Sequence, residues 1–312
     1  MRADLHVHSY HSLQSGNMRF LKSRDCYSRP DDVYRTAKAR GMDLVTITDH
    51  DSIGGCLEYL DRHPDARDFF ISEEVSCRLP QGDVEVHLGV YGLDERLHRE
   101  LQPLRRDVFE VIARLREAGV FFVLNHLLHF YRRQLPLEEY LRLLDEVPGL
   151  EARNGTMIAA HNELVEFIAT RWGSGALSQV GGSDAHTLRR VGRTWTEAPG
   201  EDIAGFLTSL RARRSRAGGV HGGVGAVAGD AYGVVWRYCA SLIGRGPCDL
   251  PAIRRAGCLA FSIASLPAQF VPLAMVAARK RHEAREVHHV REEISTWIDW
   301  RSGAPVPAEM GS

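Results

Sequence analysis

Histidines and carboxylates recur along the first 186 residues at positions where they can act together. The chain opens with His6-Val7-His8, and residues i and i+2 of a strand share a face, so both imidazoles can reach one cation. Such a pair alone is more often packing or surface. Thr48-Asp49-His50-Asp51 directly follows the apolar run 44–47. Ionisable groups where a buried strand emerges sit where barrel enzymes place catalysis. A helix cap by Asp51 or Ser52 would explain one of these residues, leaving Asp49 and His50 unaccounted for. Glu73-Glu74 ends another run, and neighbours in a strand face opposite sides, so only one can look inward. His87 interrupts the apolar stretch 84–91, and Asn125-His126 ends 120–124. Gly181-Gly182-Ser183-Asp184-Ala185-His186 follows a short strand, with Asp184 and His186 on one face if extended and glycines that permit close backbone approach.

Each feature has an ordinary explanation singly, but a ligand-capable residue ends or punctuates nearly every predicted strand. The donors are nitrogen and carboxylate without thiolate, which suits zinc, manganese or iron rather than a structural cysteine site. Of fifteen histidines, eleven fall in the first 186 residues. The six cysteines include no Cys-x-x-Cys pair, so they read as buried, reduced thiols of a cytoplasmic protein, and residues 1–6 carry no apolar signal core. With 44% apolar residues, 25% charged residues and a net charge of -1, the composition is that of an ordinary globular protein. Nothing in it argues for a stable nucleic-acid complex.

The elements that must position these residues alternate apolar runs with amphipathic stretches, the pattern of β-α units around a mostly parallel sheet or barrel. Strands are expected at 3–8, 44–48, 69–75, 84–91, 120–124, 150–153 and 178–181. The pair 69–75 and 84–91 reads as a hairpin across 80–83. Helices are expected at 31–40, 95–117 with a kink or split at Pro103, 137–144 and 158–172. A catalytic unit spans 1–215, a Gly/Ala-rich linker 216–230, and a helical extension 231–312. The uncharged run 256–278 is long enough to span a bilayer but contains Pro267, Pro272 and Gln269. A helical hairpin covering the catalytic unit is the first reading, and peripheral membrane contact the second.

The motif order resembles the polymerase-and-histidinol-phosphatase (PHP) superfamily over roughly 1–215. That family's pattern is a leading His-x-His, a Thr-Asp-His, a strand-end Glu, two scattered histidines and a terminal Asp-x-His. Here these are His6-Val7-His8, Thr48-Asp49-His50, Glu74, His87, His126 and Asp184-Ala185-His186. Glu74 is preferred to Glu73 because the family follows its Glu with a branched apolar residue and Ser. The resemblance implies a distorted seven-stranded β/α barrel (TIM-like) with two or three divalent metal ions and a bridging Glu. His6, His8, Glu74 and Asp184 would serve one ion, and His50, His87 and His186 would complete others, with His126 near the phosphate. Small members often carry an Asp where this chain has Leu13. His11, Gln14 or Asp25 would then substitute, or only two ions bind.

The expected chemistry is hydrolysis of a phosphate ester by metal-activated water. The substrate would be a nucleotide, an oligonucleotide end or a small-metabolite phosphate. Asp49 would orient His50 or accept the water's proton, His126 would assist the leaving oxygen, and Arg153 would clamp the phosphate. The basic segment 19–29 would lie over the metal face or form a solvated loop. His161 is expected on a helix surface, and His129 has no assigned role. Two other readings compete: an amidohydrolase-like enzyme acting on a C–N bond, and a non-catalytic scaffold whose tail binds a partner or membrane.

Overall fold

The computed structural model describes residues 1–13, 21, 23–81, 84–128, 137–172, 177–248 and 250–301. Gln14, His129 and parts of the 19–29 segment and the 80–83 turn lie outside these. Among the described residues, regular strands fall in two sheets. The larger follows the order β2 (Ser72–Leu79), β3 (Val84–Tyr91), β4 (Phe121–Leu124), β5 (Gly149–Asn154), β6 (Ser178–Gly182). Pairs β2–β3 and β3–β4 are antiparallel, while β4–β5 and β5–β6 are parallel. The sheet is thus mixed rather than mostly parallel, since the short connection joining β2 to β3 permits only an antiparallel hairpin. The smaller sheet is β1 (Arg2–Ala3), β7 (Thr194–Glu197), β8 (Arg216–Gly219), antiparallel throughout.

The fold is α/β, but the described residues form no closed seven-stranded barrel. The expected strands 3–8 and 44–48 keep almost no regular ladder. They contribute single bridges instead: Ala3 to Leu44, Val7 to Ala185 and Val45 to Phe69, with His50 to Glu74 just beyond. The physical reason is local. Side-chain oxygens take backbone donors that a ladder would otherwise use. Thr48 Oγ1 accepts from the Val7 amide at 2.9 Å, Asp4 Oδ1 from Ser183 at 2.8 Å, and Asp49 Oδ1 from Ser9.

Helices cover the larger sheet and are started by recognisable signals. α1 (Pro30–Ala39) and α2 (Gly54–Arg62) precede it, α1 with proline in its first turn. The expected helix 95–117 is split into α3 (Glu95–Leu101) and α4 (Val108–Glu117) by a 3-10 turn containing Pro103. Asp94 and Asp107 cap the two pieces through the Leu97 and Phe109 amides. α4 buries Val108, Val111, Ile112 and Leu115, one stripe of a 3.6-residue period. α5 (Leu137–Glu146), α6 (Ala159–Arg171) and α7 (Ile203–Arg211) follow.

The expected linker 216–230 is structured. Residues 216–219 are β8, and α8 (Val224–Leu242) begins within it. Its small residues serve close packing: a Cβ on Gly219, whose φ is +103°, would lie 2.2 Å from the Arg193 carbonyl oxygen. α9 (Ala252–Ala264), a 3-10 turn (Leu266–Ala268) and α10 (Phe270–Arg301) complete the described chain. The far half of α10 joins the main core through Val287, Val290, Ile294 and Ile298. α8 and α9 clamp the segment after β1, with Tyr238, Leu242 and Cys258 against Leu21 and Tyr27.

Candidate metal centre

Strand alternation sorts the acidic pair first. Glu74 faces inward among histidines, while Glu73 turns the other way and takes His98 Nδ1 at 2.8 Å and the Gln102 amide at 3.0 Å. Around Glu74, His6 Nε2 lies 3.0 Å from Oε2 and His50 Nδ1 3.2 Å from it, while His87 Nδ1 and His126 Nε2 lie 3.1 and 3.0 Å from Oε1. Asp184 Oδ1 stands 3.4 Å from His8 Nε2, 3.6 Å from His6 Nε2 and 3.7 Å from His186 Nδ1.

These donor atoms form four groups whose members all lie within 4.8 Å of one another: His8–Asp25–His50–His186, His6–His8–Glu74, His6–His126–Asp184 and His50–Glu74–His87. All eight side chains marked in the sequence as ligands are therefore together. Asp25, one of three candidates to stand in for the carboxylate missing at Leu13, is the ninth. Leu13 itself is solvent-exposed, and His11 is engaged by Glu58 at 2.6 Å.

Backbone strain accompanies the convergence. Among the described residues, only four other than glycine have positive φ, and two of them are His126 and Asp184 (27° and 50°). Each is held by a specific bond: the His126 amide donates to Glu151 Oε2 at 3.0 Å, and the Asp184 amide donates to the His6 carbonyl at 2.7 Å. A Cβ on Gly182 would fall 2.2 Å from the Cβ of His6, so only glycine lets β6 approach that segment.

The cluster's electrostatics follow from burial and mutual pairing. Burial alone would raise the Glu74 carboxyl, but His6, His50 and His87 overcome it and hold Glu74 well below the usual range. Asp184 is likewise held well below its usual value, against burial, by His6 and His8. Burial drives His50 well below its ordinary value, and burial with the nearby His186 lowers His8. Asp25, despite burial, sits at about 2 because of His186.

The donor set fits divalent cations on two observations. Both ring nitrogens of His8 and Nδ1 of His50 are buried without a hydrogen bond among the described residues. Such orphaned polar atoms call for an explanation. Also, bonds of about 2.1 Å to one cation would set neighbouring donors about 3–3.5 Å apart, the spacing seen here around His8.

Supporting residues went unnoticed in the sequence. Glu151 Oε1 takes His6 Nδ1 at 2.9 Å, leaving Nε2 for the cluster, and Glu85 Oε1 does the same for His87 Nε2 at 3.0 Å. Asn154 and Thr156 donate to Asp184 Oδ2, which directs Oδ1 inward. The signal for Glu151 was present as a lone acid in the apolar strand 149–154, but its direction needed the partner strands.

Two expected catalytic residues are engaged by other partners. Arg153 donates to the Gly219 carbonyl on β8 at 3.0 Å, away from the cluster. A register shift between Glu151 and Arg153 turns Glu151 and Asn154 inward and Arg153 outward. Asp49 accepts from the Ser9 amide and, at 2.7 Å, from the Ser9 hydroxyl, so both oxygens are used. His161 is buried rather than on the surface, its Nε2 accepting from the Leu128 amide at 3.4 Å. In the basic segment, Arg24 donates to the Tyr10 carbonyl and lies over the Tyr10 ring.

Comparison with known proteins adds four findings. A family model described as PHP-associated matches residues 159–215, which include Asp184 and His186. An uncharacterised protein of Methanocaldococcus jannaschii is 28% identical over 126 residues, 40% of this chain and 67% of that protein. The crystal structure of PsfC from Pseudomonas syringae is similar in fold, with a TM-score of 0.53 at 18% identity over 76% of this chain and 98% of that one. A two-domain protein from Bacteroides vulgatus containing a predicted PHP-like metal-dependent phosphoesterase gives 0.48 at 16% identity, over 77% and 70%.

Proposed function

We propose that this chain is a metal-dependent phosphoesterase of the PHP superfamily that hydrolyses a phosphate ester at the histidine–carboxylate cluster. The observation carrying this reading is the packing of nine ligand-capable side chains from seven separate stretches of chain into four overlapping groups. Glu74, shared by two groups, is the natural bridge between cations.

Three sites follow from the groups. His6, His8 and Glu74 with Asp184 would hold one divalent ion, and His50, Glu74 and His87 a second. Asp25 and His186 with His8 and His50 would hold a third, so the chain supports two or three ions of manganese, zinc or iron. When bound, such ions supply an activated water near neutral pH and neutralise charge on phosphoryl oxygens. The chain's own residues do the positioning. Glu151 and Glu85 fix the tautomers of His6 and His87, and Asn125 Nδ2 holds Glu74 Oε1 at 2.9 Å. The His186 side chain keeps 26% exposure while those of His6, His8 and Glu74 keep 1% or less, so substrate reaches the cluster from the His186 edge. With Arg153 engaged by β8, phosphate charge is met by cations and His186 rather than by that guanidinium.

The test is metal analysis of purified protein followed by assay on phosphomonoesters, phosphodiesters, nucleotides, amides and lactones, with wild type and Asp184→Asn. Phosphoester turnover that disappears together with bound metal in the variant is expected. Turnover of amides or lactones alone would instead make the chain a C–N or C–O hydrolase. Unchanged metal content in Asp184→Asn would remove Asp184 from the centre.

A further inference from the structure

Most of the uncharged run 256–278 is exposed. Of its residues only Cys258 is buried. On α9, Ile253, Gly257, Ala260, Phe261 and Ala264 recur at helical spacing and form one outward face, Ile253 being 90% exposed. The face continues past the 3-10 turn with Leu266 and Phe270, which are 61% and 67% exposed. α9 and α10 meet there at 57°, and no single helix is long and apolar enough to cross a membrane. An apolar face of this size calls for an occupant.

Charge identifies the occupant. Residues 231–281 contain seven basic side chains, namely Arg237, Arg245, the pair Arg254-Arg255 and the triplet Arg279-Lys280-Arg281, against one acid, Asp249. The whole chain has a net charge of only -1, so the excess is local. Arg237, Arg245, Arg254, Arg279 and Arg281 are exposed. A second copy seated symmetrically would bring these like charges together, which disfavours self-association. We propose that the elbow formed by α9 and the first turns of α10 lies in the headgroup boundary of an anionic lipid bilayer, its apolar face down and its arginines among the headgroups. The long basic stems suit that position, since they cover apolar surface while keeping their charge in water. The inward sides of α8 and α9 hold the Asp25 segment, so docking fixes the cluster at a set height above the lipid.

The experiment is co-sedimentation of the full-length protein with phosphatidylcholine vesicles containing about one-third phosphatidylserine, and with pure phosphatidylcholine vesicles. The expected result is binding at least about tenfold tighter to the anionic vesicles, weakening as salt is raised. Phe261→Glu and Phe270→Glu should each weaken it by about tenfold or more, because a buried acid opposes both the apolar and the charge contribution. Unchanged circular dichroism and metal content would show these exposed positions leave the fold intact. Absence of binding to either vesicle, or binding that both variants keep, would overturn the proposal. So would a dimer in light scattering that Phe270→Glu dissolves, since a second copy would then cover the face. None of these readouts depends on hydrolysis.

Discussion

The cluster around Glu74 and the face of α9 invert the usual distribution of side chains in opposite senses. In the first, histidines and carboxylates are buried, with His186 alone well exposed at the edge; in the second, isoleucine, leucine and phenylalanine stand in solvent. The two inversions differ in what they demand. A buried polar group must find its partner or lose free energy, so the cluster's donors are held by carboxylates or, at His8 and His50, left for a cation to satisfy. An exposed apolar group loses nothing relative to the unfolded chain, so the α9 face is free to change without harm to folding. Substitutions in the first region should therefore alter fold, metal and turnover together, and those in the second only association.

The largest effect is expected where the regions join. Truncation after Gly223 removes the outward face but also Val287, Val290, Ile294 and Ile298 from the core. At about 1.5–3 kcal/mol each, their loss approaches the whole stability of a typical domain, and insoluble or unfolded protein is expected. A soluble, metal-loaded truncation would break the contrast by making α8–α10 dispensable.

Next comes Glu74→Gln, which leaves four histidines around a neutral group. Metal content should fall and phosphoester turnover drop by about 10³-fold, read by elemental analysis and initial rates.

His161 sharpens the account of burial within the polar region. Burial depresses it to about 4, below the unfolded value of 6.5. Its native state therefore binds fewer protons, so its contribution is complete above pH 6.5 and is lost as pH falls toward 4. Denaturant titrations of metal-free protein should show wild type losing about 3 kcal/mol more than His161→Gln across that window. Parallel curves would show His161 to be accessible to protons in the native state.

A smaller effect is expected for Glu151→Gln. It keeps the shape but weakens the hold on His6 Nδ1, and metal affinity should fall by about 10–100-fold in competition titrations. Smallest of all, Phe270→Glu should change the midpoint of unfolding in the absence of lipid by no more than about 0.5 kcal/mol of stability. A large loss there would mean the face is packed after all.

Much of the centre was legible because metal chemistry restricts residue type and strands restrict direction. His6 and His8 at i and i+2 and the Asp184-Ala185-His186 triplet follow from alternation applied to a short list of donors, which also admits only one of Glu73 and Glu74, while the family resemblance selects Glu74. Arg153 was misjudged because a register shift in β5, invisible in one strand alone, reverses which side chain faces inward. Closure of a barrel was overestimated because Thr48, Asp49 and Asp4 divert backbone donors that strand propensity assumes to be available. The glycines at 218 and 219 were read as flexibility when they serve close contact with Trp195 and Arg193.

By itself the order of residues determined which side chains are able to bind cations, which helices start at aspartate and split at proline, and that 256–278 carries no charge. These are local properties, set by chemistry within a few bonds and by periods of 2.0 and 3.6 residues. Only tertiary structure decided that Asp25 joins the cluster, that Glu151 stands behind His6, and that the far half of α10 enters the core while much of the near half is exposed. Those outcomes depend on contacts between residues more than a hundred positions apart, and no local period encodes distance in space.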